Sequence, residues 1–332
     1  MKKPTGRIVF IRFFLTSLIT LGGLHSHALA QGPNLLSQAA LILDASSGEP
    51  IFAKNANAVT PIASITKLMT AIVVIDAQQS FDEVLTVDVD DLDYLKASRS
   101  RLSLGSQLSR REMLQLALMS SENRAASALG RFYPGGLKAA VAAMNAKAKS
   151  LGMVNTRYVD TSGLSPENVS TARDLAVLVQ AAQRYPLVRE YSTQSDQYVQ
   201  IPATGQTLHY NNSNALVKSD GWNISVQKTG FIREAGRCVV MLAQIAQRPV
   251  VLVLLDSVGK FSRLGDAQRV KTWMETGEVL ALPAPPKAVA KKGLRGGKGA
   301  RAAANSKSGK ASKASKGKNG KRAKAVVKKR RR

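Results

Sequence analysis

Two side chains near the start of the chain, Ser64 and Lys67, have the types and spacing that acyl transfer requires. They lie in Ser64-Ile65-Thr66-Lys67, with a hydroxyl and an amine three residues apart. On a helix, this spacing places both side chains on one face. A serine hydroxyl is a weak nucleophile without an adjacent base, and a lysine is a base only when it is neutral. The pair indicates nucleophilic catalysis by Ser64 with Lys67 as its base.

The spacing alone is common, because Ser-x-x-Lys occurs four times, at Ser64, Ser225, Ser257 and Ser315. Only the copy at Ser64 opens a long apolar run, which has the length of a buried helix. The start of a helix also directs backbone N–H groups at negative charge on a substrate. The competing interpretation makes Ser64 a helix cap and Lys67 a solvated side chain.

A second group, Ser121-Glu122-Asn123, occurs once and follows the first along the chain. The Ser121 hydroxyl could relay a proton, and the Asn123 amide could position Lys67 and the substrate. Ser and Asn are also common N-caps of helices, so a capping role stays open. The order of the groups, and not this one alone, favours catalysis.

A third group, Lys228-Thr229-Gly230-Phe231, lies in a segment typical of an edge strand. Such a strand would present Lys228 and Thr229 to a carboxylate, and Gly230 would let a substrate backbone approach closely. The N–H groups of Phe231 and Ser64 would together form an oxyanion hole. Lys228 is also a cation that could lower the pKa of Lys67. An ordinary strand that ends at glycine is the alternative.

The sequence does not contain the residues that two other common catalytic mechanisms require. A Ser-His-Asp triad needs a histidine base, and only His209 lies outside the amino-terminal segment; we expect it to be a strand or loop histidine satisfied by its neighbours. A zinc site needs three or four ligands, so we expect neither a metal nor another cofactor. Cys238 is the only cysteine, which excludes an internal disulfide, and its apolar surroundings predict a buried side chain.

The first 30 residues are typical of a secretory signal peptide. A basic start precedes an apolar run over 13–24 and the small-x-small site Ala28-Leu29-Ala30. The run is shorter than the ~20 residues of a membrane-spanning helix. We therefore predict export to the periplasm, with a mature protein that starts near Gln31.

The other end of the chain is strongly basic. Residues 285–332 hold 19 of the 48 Lys and Arg residues and no acidic residue, so most of the net charge of +26 belongs to this segment. We predict a disordered tail over 284–332 and one catalytic domain over 31–283, long enough for a sizeable core.

Strand patterns lie at both ends of the predicted domain, with helical patterns between them. Apolar strands are expected over 41–45, 50–53, 237–243 and 249–255, and helices over 64–75, 111–118, 123–132, 136–151, 171–183 and 263–278. The pattern predicts a mixed helix and sheet domain in which the two ends of the chain share one sheet.

These motifs, with longer stretches around them, resemble the low-molecular-mass penicillin-binding proteins, the serine-type D-alanyl-D-alanine carboxypeptidases and endopeptidases. The resemblance covers most of residues 36–275 and rests on residues 61–70, 121–126, 161–165, 170–175, 228–231 and 234–238. It implies a transpeptidase-like, β-lactamase-like fold, with a mainly antiparallel sheet flanked by helices and a helical subdomain. It also implies peptidoglycan peptides as substrates and β-lactam antibiotics as inhibitors that acylate Ser64.

The amino-acid sequences of residues 121–126 and 234–238 look closest to those of the endopeptidase branch, which cuts D-alanine from the D-centre of a cross-linking diaminopimelate. A carboxypeptidase that releases terminal D-alanine is the alternative, because the motifs suit both leaving groups. A class A β-lactamase is a third interpretation and would need a glutamate to activate water; Glu167 follows the second motif, but its context, residues 166–169, is not the β-lactamase pattern. A polyanion-binding protein is a fourth: its tail would bind anionic wall polymers, whereas export argues against nucleic acid.

Overall fold

The fold is described by a computed structural model that covers residues 32–94, 96, 100–201 and 205–284. The described residues up to Pro283 form one unit, and Ala284 begins a second. The predicted signal peptide and nearly all of the basic tail lie outside the described residues and stay predictions. None of the helices in the described ranges is long and apolar enough to span a membrane.

The described residues hold 11 strands: β1 (Ser37–Asp44), β2 (Pro50–Lys54), β3 (Thr60–Pro61), β4 (Val84–Thr86), β5 (Gln107–Ser109), β6 (Val169–Ser170), β7 (Asp196–Ile201), β8 (Gln206–Asn211), β9 (Asn223–Ile232), β10 (Gly236–Ile245) and β11 (Arg248–Ser257). Five of them form the main antiparallel sheet, in the order β2-β1-β11-β10-β9, and the other six form three two-stranded sheets. The first strand pairs with the last, with Ile42 opposite Leu252. This pairing confirms that the two ends of the domain build one sheet.

Both faces of this sheet are covered, which explains its nearly continuous apolar strands. Because successive side chains point to opposite faces, Leu41 and Val240 join one hydrophobic cluster, whereas Ile42 and Val239 join another. The second cluster includes Val270 of the last helix.

Seven helices accompany the sheet in the described part of the chain. They are α1 (Thr66–Asp76), α2 (Arg110–Met119), α3 (Asn123–Arg131), α4 (Gly136–Ser150), α5 (Ala172–Ala182), α6 (Pro186–Thr193) and α7 (Ser262–Thr276). Helices α5 and α7 pack against the sheet, and α1 packs against α2, α3, α4 and α5. The predicted helices are present, with ends shifted by a few residues.

Helix α1 is buried on almost every side, since nine of its 11 residues are buried. The chain enters it through a 3-10 turn, Ala63–Ile65, in which Ala63 has a positive φ of 47°. The sequence pattern predicts a helix that starts at residue 64, whereas in the structure Ser64 lies in the turn before the α-helix. The buried helix holds the backbone of Lys67 rigidly in place.

The residues between α5 and β9 carry no clear helix or strand pattern, and there the structure has α6 and the β7–β8 hairpin. Pro186 opens α6 at a position that suits proline, because its missing N–H has no partner there. In the hairpin, Asp196 pairs with Asn211 and Tyr198 with His209. This region lies beside the catalytic motifs and completes their surroundings.

Candidate active site

The three sequence motifs meet in one cleft of about 220 Å³, although they are far apart in the chain. Its lining residues are Ser64, Ser121, Asn123, Thr229, Gly230, Phe231 and Arg263. Ser64 comes from the turn before α1, Ser121 and Asn123 from the start of α3, and the next three residues from β9. Strand β9 lies at the edge of the sheet among the described strands.

Lys67 lies under this cleft with only 1% of its surface exposed. Its ammonium group donates to Ser64 Oγ at 2.8 Å, to Asn123 Oδ1 at 2.8 Å and to the Ser162 carbonyl at 2.5 Å. Burial lowers the pKa of Lys67 to about 7, against the opposing effect of the charges of Asp160 and Glu122. A substantial neutral fraction at neutral pH makes this amine suited to accept the Ser64 proton.

The capping interpretation of the two serines does not describe this structure. Helix α1 has Ile65 at its N-cap and no side-chain capping bond. Helix α3 is capped by Glu122, whose carboxylate accepts from Arg124 N at 3.2 Å. Both Ser64 and Ser121 therefore direct their hydroxyls into the cleft region and not to a helix end.

Ser121 is held in an unusual backbone conformation, with a φ of 65°. Its hydroxyl accepts a 2.8 Å hydrogen bond from Lys228 Nζ, which also donates to the Thr229 carbonyl at 3.1 Å. Burial is the main cause that lowers the pKa of Lys228 well below its ordinary value, and the charges of Lys67 and Arg263 add to it. Burial is therefore the main cause of the lowered pKa of both lysines, and the Lys228 cation, which the sequence suggested as a cause for Lys67, is not among the causes that act on Lys67.

The β9 residues differ in exposure. Thr229 is buried and donates to Ser213 Oγ at 2.8 Å, whereas Phe231 is 55% exposed at the rim. A Cβ at Gly230 would lie 2.8 Å from the Ile62 carbonyl oxygen and 3.3 Å from Ser64 N. Glycine at 230 is thus required for the close approach of β9 to the turn that carries Ser64.

Sequence reasoning assigned no role to the loop that supplies the third partner of Lys67. Asp160 holds this loop by accepting from Ser162 N at 2.7 Å, Gly163 N at 2.5 Å and Ser165 N at 2.8 Å. The loop presents the Ser162 carbonyl to Lys67. The only sequence signal was its presence among the stretches that carry the family resemblance.

Gly163 should be intolerant of alanine because it has a φ of 82° and a Cβ there would lie 2.0 Å from the Ala63 carbonyl oxygen. The left-handed conformation and the clash should together cost about 2–5 kcal/mol. Gly152→Ala is the matched control, since Gly152 has a φ of 78° and nothing within 4 Å of its added Cβ. Urea unfolding should show a loss of only about 1 kcal/mol for the control; equal losses would contradict a clash.

Arg263 is another cleft residue that the sequence did not single out. Its Nη1 donates to the Gly230 carbonyl at 2.9 Å, from helix α7. Burial, assisted by the charge of Arg237, lowers the pKa of Arg263 to about 10. Together with Lys228 it makes this end of the cleft favourable for an anionic group.

Residues weighed for other chemistries lie elsewhere. His209 Nε2 is 3.5 Å from Asp196 Oδ1, and its ring stacks on Tyr198, so its neighbours satisfy it. Cys238 is buried in β10 with its pKa raised to about 11 by burial. Glu167 is exposed and pairs with Arg157 at 3.2 Å, away from the residues that line the cleft. No cluster of three potential metal-ligating side chains occurs in the ranges that the structure describes.

A buried lysine that contacts a serine at the start of a helix, beside the edge strand of an antiparallel sheet, defines an active-site serine enzyme of the acyl-transfer class. The sequence matches the D-alanyl-D-alanine carboxypeptidase family, peptidase family S11, over residues 26–259. The chain belongs to this family and is a serine DD-peptidase.

Comparison with known proteins supports this assignment. The chain is 50% identical over 254 residues to the D-alanyl-D-alanine endopeptidase of Pseudomonas aeruginosa, a match that covers 76% of this chain and 82% of that protein. Its structure is similar to the Streptomyces K15 DD-transpeptidase, with a TM-score of 0.68, 26% identity, and coverage of 73% and 98%. It is also similar to the ampicillin-bound penicillin-binding protein D2 of Listeria monocytogenes, with a TM-score of 0.61, 30% identity, and coverage of 72% and 97%. These similarities confirm the predicted transpeptidase-like fold.

Proposed function

We infer that this protein is a D-alanyl-D-alanine endopeptidase of peptidoglycan that cuts the bond between D-alanine and the D-centre of a diaminopimelate cross-link. The observation that carries the chemistry is the buried Lys67 amine, which contacts Ser64 Oγ and has a pKa of about 7. The preference for cross-links rests on the 50% identity to an endopeptidase.

Acylation starts when Lys67 accepts the proton of Ser64 and Ser64 Oγ attacks the carbonyl carbon of the D-alanine residue. The N–H groups of Ser64 and Phe231 stabilise the oxyanion that forms. Ser121, hydrogen-bonded to Lys228, passes a proton to the departing amine as the C–N bond breaks. The proton that Lys67 took from Ser64 then replaces the one that Ser121 gave up, so Lys67 is neutral again for the next step and Lys228 keeps its charge.

Deacylation completes the cycle when water hydrolyses the ester on Ser64. Asn123 keeps Lys67 in place through its 2.8 Å hydrogen bond, so the same amine can activate the water. Thr229 and Gly230 line the wall that receives the carboxylate of the departing D-amino acid, and the buried Lys228 and the nearby Arg263 add positive charge. A bound carboxylate favours the charged form of Lys228.

β-Lactam antibiotics should acylate Ser64, because the site would bind their carboxylate and present their carbonyl carbon to Ser64 in the same way as it does for the peptide substrate. The solved structure of the Listeria penicillin-binding protein holds ampicillin and is 30% identical to this chain. A class A β-lactamase is disfavoured because Glu167 is engaged in an exposed ion pair with Arg157.

The acylation rate is expected to rise with pH through about 7. Below its pKa of about 7, Lys67 is mostly protonated and cannot accept the Ser64 proton, whereas above it the neutral base predominates. Between pH 8 and pH 6 the rate constant of acylation by penicillin should fall roughly tenfold. Stopped-flow or fluorescent-penicillin labelling across this range would measure it, and a flat or inverted profile would contradict Lys67 as the base.

One experiment distinguishes an endopeptidase from a carboxypeptidase. It uses the mature protein that starts at Gln31. Purified monomeric pentapeptides and cross-linked dimers are offered together and read by mass spectrometry, with Ser64→Ala as the inactive control. Dimers that fall to monomers support the endopeptidase. Loss of one alanine from pentapeptides, with dimers intact, would make the protein a carboxypeptidase.

We place the enzyme in the periplasm, with the basic segment 285–332 as a tether to anionic envelope polymers. The signal-like first 30 residues and the 19 basic residues of the tail support this. Full-length protein and a variant that lacks 285–332 should differ in retention on isolated sacculi, most strongly at low salt. Equal retention at all salt concentrations would exclude the tether.

A further inference from the structure

A second pocket opens beside the catalytic cleft and has no part in the mechanism above. It holds about 270 Å³ and shares Ser121 and Asn123 with the cleft. Its other lining residues are Arg101, Ser120, Glu122, Tyr210 and Asn211. The two spaces therefore meet at the hydroxyl and amide of the second motif.

Tyr210 lines this pocket and carries an unsatisfied polar group. The residue is 1% exposed, and its hydroxyl has no hydrogen-bond partner within the described residues. Buried hydroxyl groups in proteins are almost always hydrogen-bonded. Burial and the charge of Glu122 raise the pKa of Tyr210, so the hydroxyl keeps its proton as a donor.

Charged groups of both signs flank the Tyr210 ring. The Arg101 guanidinium lies 3.9 Å from the ring centroid and donates through Nη1 to the His209 carbonyl. Its remaining N–H groups have no acceptor among the described residues. The Glu122 carboxylate is the negative charge that acts on Tyr210, and it accepts only from Arg124 N among described donors. The pocket thus offers donors for a carboxyl group and an acceptor for an N–H group.

The position of the pocket associates it with the leaving group. Ser121 passes a proton to the departing amine in the proposed mechanism, and the pocket begins at Ser121. Thr229, which would bind the leaving carboxylate, donates to Ser213, two residues beyond the Asn211 that lines the pocket. A leaving group longer than alanine would therefore extend from Thr229 past Ser121 into this space.

We propose that this pocket binds the far amino-acid centre of a diamino-diacid leaving group, with its carbonyl group, free or in peptide linkage, on Arg101 and Tyr210 and its N–H on Glu122. This inference rests on the proposed endopeptidase function and deepens it. Alanine has no second centre to place here, so the pocket selects a cross-link over a terminal D-alanine. Arg101 and Tyr210 are then specificity residues of the reaction.

Tyr210→Phe is the sharpest variant, because it removes only a hydroxyl that lacks a protein partner. If the role of Tyr210 is purely structural, this change should have no effect, whereas a ligand-binding Tyr210 should show a lower kcat/KM for the cross-link. Arg101→Lys keeps the positive charge but removes the planar guanidinium, which can donate two parallel hydrogen bonds to the ligand. Arg157→Ala is the matched control, since Arg157 is an exposed arginine on a surface ion pair.

The experiment measures kcat/KM for a cross-linked peptide dimer and, on the same preparations, the rate constant of Ser64 acylation by penicillin. Penicillin has no diamino-diacid leaving group, so the ratio of the two constants reports on the pocket. The ratio should fall about threefold or more for Tyr210→Phe and about tenfold or more for Arg101→Lys, mainly through KM, and stay unchanged for Arg157→Ala.

Each outcome has one meaning. A ratio that Tyr210→Phe and Arg101→Lys leave at the wild-type value overturns the leaving-group pocket while the endopeptidase assignment stands. Wild-type protein that is acylated by penicillin but leaves dimers intact overturns the endopeptidase assignment itself. Equal loss in Arg157→Ala would show that any arginine substitution disturbs the enzyme and would also overturn the pocket.

Discussion

Ser64→Ala should abolish both dimer cleavage and labelling by penicillin. The alanine removes the hydroxyl oxygen that the Lys67 amine contacts at 2.8 Å in the cleft, so no ester can form. In the serine protease subtilisin, loss of the nucleophile lowers kcat by about 10⁶-fold. We expect a loss of at least about 10⁴-fold here, at the limit of most peptidase assays.

The chain offers a matched control for this prediction. Ser225 lies in a second Ser-x-x-Lys spacing, three residues before Lys228, but its hydroxyl donates to the Leu242 carbonyl at 3.2 Å inside the sheet. Ser225→Ala should keep most of its activity and lose about 1 kcal/mol of unfolding free energy at most. Penicillin labelling that survives in Ser64→Ala, or disappears in Ser225→Ala, would place the nucleophile elsewhere.

Lys67→Met should lower the acylation rate by about 10³-fold or more, because general bases contribute about 10²–10⁴-fold and Lys67 also orients Ser64. Methionine has similar length and no proton acceptor. Ser64 would then face a cleft without a base, and its hydroxyl would react slowly with any acyl donor. Single-turnover acylation by a fluorescent penicillin measures the effect directly.

Lys67→Arg distinguishes a base from a fixed positive charge. A guanidinium keeps its proton in proteins, so it could still donate to Asn123 Oδ1 and the Ser162 carbonyl but could not accept the Ser64 proton. We expect this variant to be as slow as Lys67→Met. Recovery of wild-type acylation by arginine would mean that Lys67 works through its charge, and the assignment of the base would fail.

The two buried lysines, Lys67 and Lys228, influence each other through their charges. Lys67 donates to the Ser64 hydroxyl and Lys228 to the Ser121 hydroxyl, and the charge of Lys67 contributes to the lowered pKa of Lys228. Two like charges in a buried site cannot both form without cost. In the proposed cycle Lys67 gains a proton from Ser64 only until one leaves through Ser121, so both lysines are charged only briefly.

Much of the fold could be predicted because its sheet and helices have strong local signals. The runs that became β10 and β11 are apolar and rich in valine, since helices cover both faces of the sheet. The β7–β8 hairpin was not predicted, because its own residues are mostly polar or aromatic. Only a few of its side chains, such as Val199 and Tyr210, are buried. A half-exposed pair of short strands leaves little apolar pattern to detect.

The residues that could do the chemistry are identifiable from sequence alone: a serine acyl-transfer enzyme is indicated by the order and types of Ser64, Lys67, Ser121, Asn123 and Lys228. Their protonation states and distant partners depend on how the chain packs. The pKa of Lys67 is about 7 because packing buries its amine, and the Ser162 carbonyl and Arg263 guanidinium reach the site from about 100 and 200 residues away. Local sequence specifies side-chain chemistry, whereas desolvation and distant partners arise only when the chain packs.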